Sequence, residues 1–372
     1  MTKTILYLDH APVWGGAEAV LVNLITHLDH SRFHPVVGTA VGSPLAERLQ
    51  KMGLPCHLLP FATLNRARWR LPVHLVQSVT AVSRLVRQTN AAIIHTNTVR
   101  AHIAGTLAGW LTHTPVIWTI HDNTFPPHLV RLLATIPYRT VAVSGWLRDL
   151  YQPYGLAGKC VVIPNGLPVP QQPPAPLLLS ELGLPPDTRL VTAVGRVIPG
   201  KGAHHFIEAA NRLASTNPQA AFVLVGGKEE AHTDYAQNIH RKITTSPLNN
   251  KLQWVGHRRD VARFLAETAV FVYPATQPEG LPTVLLEAMS QGKAVVASAT
   301  GGALEIVQPG VTGLLVPPGD SDALAAAIEE LLTNEALAGK MGAAGQARWR
   351  QNFSVESQVA QMMGLYEGLM VD

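Results

Sequence analysis

The sequence predicts an α/β protein built from two doubly wound parallel sheets in tandem. Three observations carry this. Apolar runs of strand length alternate with longer segments of helical pattern along the whole chain. Many of these runs are continuous, as in AAIIHT at Ala91–Thr96 and AAFVLV at Ala220–Val225, which marks strands covered on both faces. The alternation is interrupted once, from Pro164 to Pro176, where six prolines fall. That composition reads as a linker, and 372 residues fit two domains better than one.

In the first half, strands are expected at Thr4–Asp9, His34–Ala40, Pro55–Pro60, Ala91–Thr96, Pro115–His121 and Arg139–Ser144, with a helix at Ala17–Leu28. In the second half they are expected at Arg189–Gly195, Ala220–Val225, Lys251–Gly256, Ala269–Pro274 and Ala294–Ser298. Helical patterns there cover Ala203–Ser215, Pro282–Gln291, Asp320–Leu332 and Glu335–Gln351. A last helix is expected over Ser354–Leu369, with Ser354 as its N-cap. The expected divisions are residues 1–170, 171–353 and a terminal segment 354–372. Doubly wound sheets bind ligands beyond the carboxyl ends of their strands, at the point where strand order reverses. Two such sheets facing each other would form a cleft.

A hydrophobic fraction of 47% and a charged fraction of 15% describe a globular protein and exclude disorder. Cys56 and Cys160 follow no metal spacing and read as two thiols in a reducing compartment. The opening MTKTILYLD turns polar too soon for a secretion signal, and no stretch reaches the length of a spanning helix. A cytoplasmic protein is expected. The net charge of +4 divides unevenly: residues 1–165 hold 14 Lys/Arg against 6 Asp/Glu, and the rest hold 15 against 19. The basic half either meets an anionic surface or substrate, or simply differs in composition. Nothing points to nucleic acid.

Four segments carry candidate chemistry. Trp14-Gly15-Gly16-Ala17-Glu18 follows the first strand and opens the first helix. Glycines there let backbone approach a ligand, and a helix N-terminus favours an anion; a plain tight turn fits as well. Gly195-Arg196-Val197-Ile198-Pro199-Gly200-Lys201-Gly202 ends the first strand of the second half. Its two cations on a Gly/Pro-rich loop suit a diphosphate, or else form a solvated basic loop. The third segment, Pro278 to Met289 (PEGLPTVLLEAM), follows the strand AVFVYP. Pro282 suits the first helical turn, and the N–H groups of Gly280, Leu281 and Thr283 would form an anion site. Glu287, a turn and a half in, can pair with two ribose hydroxyls, unless it is a surface residue of the helix. Glu279 can accept from sugar hydroxyls. The fourth is His121-Asp122 at the end of PVIWTIH, where Asp122 could fix the imidazole tautomer.

In this order the segments resemble family 4 of the retaining glycosyltransferases of GT-B fold, the group with the E-x7-E signature. GGAE at 15–18, HD at 121–122, IPNG at 163–166, GR…KG at 195–202, VGG at 225–227 and VGH at 255–257 all fit. So do PEGLPTVLLEAM at 278–289, GG…E at 301–305 and GLLVPPGD at 313–320. The resemblance implies a nucleotide-sugar donor, UDP- or GDP-linked, on the second domain, with the first on the acceptor side. It implies that Arg196 and Lys201 hold the diphosphate with N–H groups after Glu279 and near Gly16. Glu287 would bind ribose, and Glu279 the donor sugar. His121 would touch the sugar and help place the acceptor, and Val255 and Gly256 would lie near the base. Trp14 stands where acceptor specificity is set. The terminal helix would pack back on the first domain. The implied reaction is front-face substitution with no cofactor and no metal, and no DxD triplet occurs. The alternatives are a sugar-nucleotide epimerase and a non-catalytic sugar-nucleotide-binding subunit. The acceptor is expected to be a glycan or lipid-linked. Arg66, Arg68, Arg70, Arg84 and Arg87 with Trp69 form a basic, partly apolar stretch, and no Asp or Glu occurs from Lys51 to His121. Such a stretch can dock on an anionic membrane surface.

Overall fold

The computed structural model describes residues 2–61, 71–123, 125–133, 139–170 and 178–371. The chain forms two compact units, Met1–Pro168 with Ser354–Asp372, and Val169–Phe353.

The first unit is a seven-stranded sheet: β1 (Lys3–Asp9), β2 (Phe33–Ala40), β3 (Cys56–Leu59), β4 (Ala91–Thr96), β5 (Val116–Ile120), β6 (Arg139–Ala142) and β7 (Cys160–Val162). The order is β3-β2-β1-β4-β5-β6-β7, parallel throughout. Strand order reverses between β1 and β4. Alternate residues of β1 feed two cores. Ile5 and Tyr7 pack with Leu21 and Leu24 of helix Gly16–His27, with Leu45 and Leu49 of helix Pro44–Lys51, and with Val355 and Met362 of helix Val355–Val371. Leu6 and Leu8 pack with Val82 and Leu85 of helix Leu71–Thr89 and with Ala101 and Ala104 of helix Val99–Thr112. Burial on both faces is why these strands read as unbroken apolar runs.

The terminal helix belongs to this unit through specific bonds as well as packing. Ser354 Oγ accepts from the Ser357 N–H, as an N-cap does, and the Val355 N–H donates to Leu167 O. Deeper in, the Tyr366 hydroxyl lies 3.0 Å from that of Tyr7 and 2.7 Å from His95 Nδ1, and His95 Nε2 lies 2.6 Å from Thr119 Oγ1. Buried polar groups need such partners. Burial pushes the His95 imidazolium down to about 3, so the ring is neutral.

The second unit has six parallel strands: β8 (Arg189–Val194), β9 (Ala220–Val225), β10 (Leu252–Trp254), β11 (Thr268–Tyr273), β12 (Ala294–Ser298) and β13 (Leu314–Val316). Their order, β10-β9-β8-β11-β12-β13, reverses between β8 and β11. Along β9, Ala220, Phe222 and Leu224 join one core with helices Ala203–Leu213 and Ser321–Thr333, while Ala221, Val223 and Val225 join the other with Phe264. The sequence reading lists neither β7 nor β13, because three residues show no period. Among the described residues, no helix is long and apolar enough to cross a membrane.

Candidate active site

In the second unit, the loops after β8 and β11 flank the point where strand order reverses, and they lock together. Gly202 has φ +71°, and a Cβ there would stand 1.9 Å from the Pro274 carbonyl oxygen, so only glycine fits. The N–H groups of Thr276 and Gln277 both donate to Gly200 O, at 3.0 and 3.2 Å. This clasp brings two sequence candidates together. Lys201 Nζ donates to Glu279 Oε2 at 2.5 Å, and the Tyr273 hydroxyl donates to Glu279 Oε1. Burial and the neighbouring carboxylate hold the Tyr273 phenol far above its ordinary range, so it remains a donor.

The two cations expected to hold the diphosphate, Arg196 and Lys201, each pair with a carboxylate. The exposed Arg196 guanidinium pairs with Glu229 in the loop after β9, while Lys201 pairs with Glu279. The two cations of one loop are drawn to different carboxylates, and an incoming diphosphate would have to compete for both.

Helix Thr283–Ser290 starts one residue later than expected, with Pro282 as its N-cap at φ −69° and ψ 104°. The N–H groups of Gly280, Leu281 and Thr283 find no protein acceptor among the described residues. Unpaired N–H groups at a helix N-terminus are the kind that can receive an anion. The backbone around it is fixed from the far side, where Gly302 N–H donates to Glu279 O at 2.9 Å. Glu287 is not the surface residue of the alternative reading. It is half-buried, and loss of hydration alone pushes its carboxyl up to about 7. Val255 and Gly256 follow β10 and are clamped to β9: Val255 N–H donates to Leu224 O, and Gly256 O accepts from Gly226 N–H at 2.8 Å.

In the first unit, Trp14 and Gly15 lie between β1 and helix Gly16–His27, which Gly16 opens. Glu18 Oε2 accepts from the Gly15 N–H at 2.7 Å, so the carboxylate of Glu18 folds back on the glycine turn that opens the helix. Burial and nearby Asp9 push the Glu18 carboxyl up to about 7. Trp14 is partly exposed beneath the Arg48 guanidinium, 5.0 Å from the ring centroid.

His121 follows β5, and its Nε2 lies 2.6 Å from Asn97 Oδ1. The expectation that Asp122 sets the tautomer is therefore corrected: Asn97 holds the ring, and Asp122 acts through its charge, which opposes the effect of burial. Sequence reasoning missed Asn97 and Tyr273. Asn97 stands one residue beyond β4 as His121 stands one beyond β5, a positional signal available once strands are assigned. Tyr273 looked like one more apolar strand residue. Arg66, Arg68, Trp69 and Arg70 lie outside the described residues. Arg84 and Arg87 are exposed on helix Leu71–Thr89, beside which Val73 and Val76 are also exposed.

Two family models match the chain: "Glycosyltransferase Family 4" over residues 14–169 and "Glycosyl transferases group 1" over residues 177–348. Alpha-maltose-1-phosphate synthase of Mycobacterium tuberculosis is 30% identical, over 98% of this chain and 99% of its own. The chain belongs to the family 4 glycosyltransferases. Phosphatidyl-myo-inositol mannosyltransferase of Mycolicibacterium smegmatis is also 30% identical, over 77% of this glycosyltransferase and 73% of its own length. Among solved structures, Anabaena HepE in complex with UDP and glucose superposes with a TM-score of 0.85 at 26% identity, covering 98% of this chain and 100% of HepE. The two parallel-sheet, Rossmann-like units are those of the GT-B glycosyltransferases.

Proposed function

We propose that this glycosyltransferase moves a hexose or hexose derivative from a UDP- or GDP-sugar to a glycan or lipid-linked hydroxyl, with retention of anomeric configuration. The observation that carries the reading is the Lys201–Glu279 pair beside the open N-terminus of helix Thr283–Ser290. A cation, unpaired N–H groups and a fixed carboxylate are what a sugar diphosphate calls for. UDP in HepE and the lipid acceptor of the mycolicibacterial mannosyltransferase support the choice of donor and acceptor classes.

In this reading the diphosphate lies on Lys201 and the N–H groups of Gly280, Leu281 and Thr283, with Arg196 leaving Glu229 to join it. Glu287 accepts from the ribose hydroxyls, the segment at Val255 and Gly256 borders the base, and Glu279 orients the donor sugar. The acceptor hydroxyl attacks the anomeric carbon from the face the diphosphate leaves, and a phosphate oxygen takes its proton. Charge grows on the leaving group as an oxocarbenium-like centre forms, and Lys201 and the helix N-terminus stabilise it. These groups supply the positive potential that a metal ion provides elsewhere, so turnover is expected to survive EDTA.

A thermal-shift screen of UDP- and GDP-sugars tests the donor. A true donor at about 100 times its dissociation constant stabilises by about 2.7 kcal/mol. Proton NMR of the product then reads the anomeric configuration. An inverted product, or turnover lost in EDTA and restored by Mg²⁺, would refute the mechanism.

A further inference from the structure

Three neighbouring strands of the first unit end side by side where the sheet reverses its order, and a chain of polar groups crosses their ends. Asp9 closes β1, Asn97 follows β4 and His121 follows β5. Asp9 Oδ1 accepts from the Ala11 N–H at 2.7 Å, and Asp9 Oδ2 accepts from Asn97 Nδ2 at 2.7 Å. Asn97 Oδ1 faces His121 Nε2 at 2.6 Å. Both Asp9 and Asn97 are buried.

The direction of this chain follows from which groups can donate. An ionised carboxylate only accepts, so Asp9 turns the amide nitrogen of Asn97 toward itself and the amide oxygen toward the imidazole. An amide oxygen also only accepts, so Nε2 must carry the proton. Burial raises the Asp9 carboxyl above its ordinary value, and the hydrogen bonds from Asn97 and the Ala11 N–H oppose that rise by favouring the ionised form. For His121, burial pushes the imidazolium down to about 4, against the charge of Asp122. The ring is therefore neutral near pH 7, with its lone pair on Nδ1. That atom is buried and has no hydrogen-bond partner among the described residues. A buried polar atom left unpaired costs about 1–3 kcal/mol. A relay that served the fold alone would end on a satisfied atom, as the one through His95 does at Thr119. This one ends on an acceptor that no donor among the described residues reaches.

We propose that Asn97, oriented by Asp9, is a positioning residue for sugar transfer, fixing the Nε2–H tautomer of His121 so that Nδ1 accepts from a sugar hydroxyl. The inference rests on the glycosyl-transfer reading above and deepens it. His121 is then an acceptor that orients a hydroxyl, and it does not act as a general acid. The Ala11 N–H ties the same relay to the start of the loop that carries Trp14 and Gly16.

Two measurements test this. The first is the ¹⁵N spectrum of histidine-labelled protein, with His121 assigned by its loss in His121→Gln. Wild type is expected to show a protonated Nε2 and a bare Nδ1 at neutral pH. Asn97→Ala is expected to populate the other tautomer. The second is kinetic. Asn97→Ala is expected to lower kcat about tenfold or more, with the Kd of free UDP and GDP within about twofold of wild type, because the base and ribose candidates and both diphosphate cations lie in the other unit. The exchanged pair Asp9→Asn with Asn97→Asp keeps an acceptor facing Nε2–H, so it should restore the tautomer and much of the lost kcat.

A bare Nε2 in wild type overturns the proposal. So does an Asn97→Ala enzyme with wild-type turnover. If Asn97→Ala does not fold, the exchanged pair decides: a folded protein with the tautomer reversed refutes the relay, and one with it preserved upholds it. Failure of the wild type to turn over any sugar nucleotide would count against the glycosyl-transfer reading, and the ¹⁵N spectra would then decide the relay.

Discussion

Replacing Glu287 by Gln should make the protein more stable and a weaker nucleotide binder, with the stability gain confined to one side of a pH window. Burial raises the Glu287 carboxyl from an ordinary 4.5 to about 7. The folded state therefore holds this proton more tightly than the unfolded chain does. Between about pH 4.5 and pH 7 the folded state binds more protons, so its stability falls as pH rises through that window and levels off above it. The interval corresponds to roughly 3 kcal/mol at about 1.4 kcal/mol per factor of ten. Gln has nearly the same shape and never ionises, so it escapes this cost. The two proteins should be equally stable near pH 4, and the variant should lead by up to about 3 kcal/mol at pH 8. For a unit of this size that is roughly 6–12 °C in Tm. Glu18 is also raised to about 7, but it is present in both proteins and cancels in the comparison. Thermal unfolding of both proteins across pH 4–8, without ligand, reads the difference. Isothermal titration with UDP and GDP at pH 8 should show weaker binding by the variant. A stability difference that stays constant with pH, or favours wild type at pH 8, would refute the buried-carboxylate argument.

Lys201→Ala should lower turnover by about 10²–10³, the usual effect of losing one group that stabilises developing charge; steady-state rates with the identified donor check this. Tyr366→Phe removes the hydroxyl shared by Tyr7 and His95 and should cost about 1–3 kcal/mol in urea unfolding. Gly202→Ala should destabilise by about 3 kcal/mol or more, since it adds a Cβ at positive φ against the Pro274 carbonyl; circular dichroism melts would detect it. If the basic first unit meets membrane, the protein should co-sediment with anionic but not neutral vesicles, and less so at high salt. No sedimentation with anionic vesicles at low salt would favour a soluble acceptor.

The sequence by itself determined the two parallel sheets, because strands covered on both faces must be apolar at every position, and that shows in a run such as AAFVLV. It also marked the loops proposed to bind the donor, since Gly200, Gly202 and Pro282 fall in the segments that follow strand patterns. Tertiary structure decided which side chains meet. Lys201 and Glu279 are 78 residues apart and pair only because the loops after β8 and β11 interlock through Gly202. Arg196, on the same loop as Lys201, pairs with Glu229 in the loop after β9, 33 residues away. The tautomer of His121 was sought in its chain neighbour Asp122 and is set by Asn97, 24 residues away. Periodicity records burial, which each residue expresses locally. A hydrogen-bond partner is fixed by strand order and register, and no single segment of the chain carries that information.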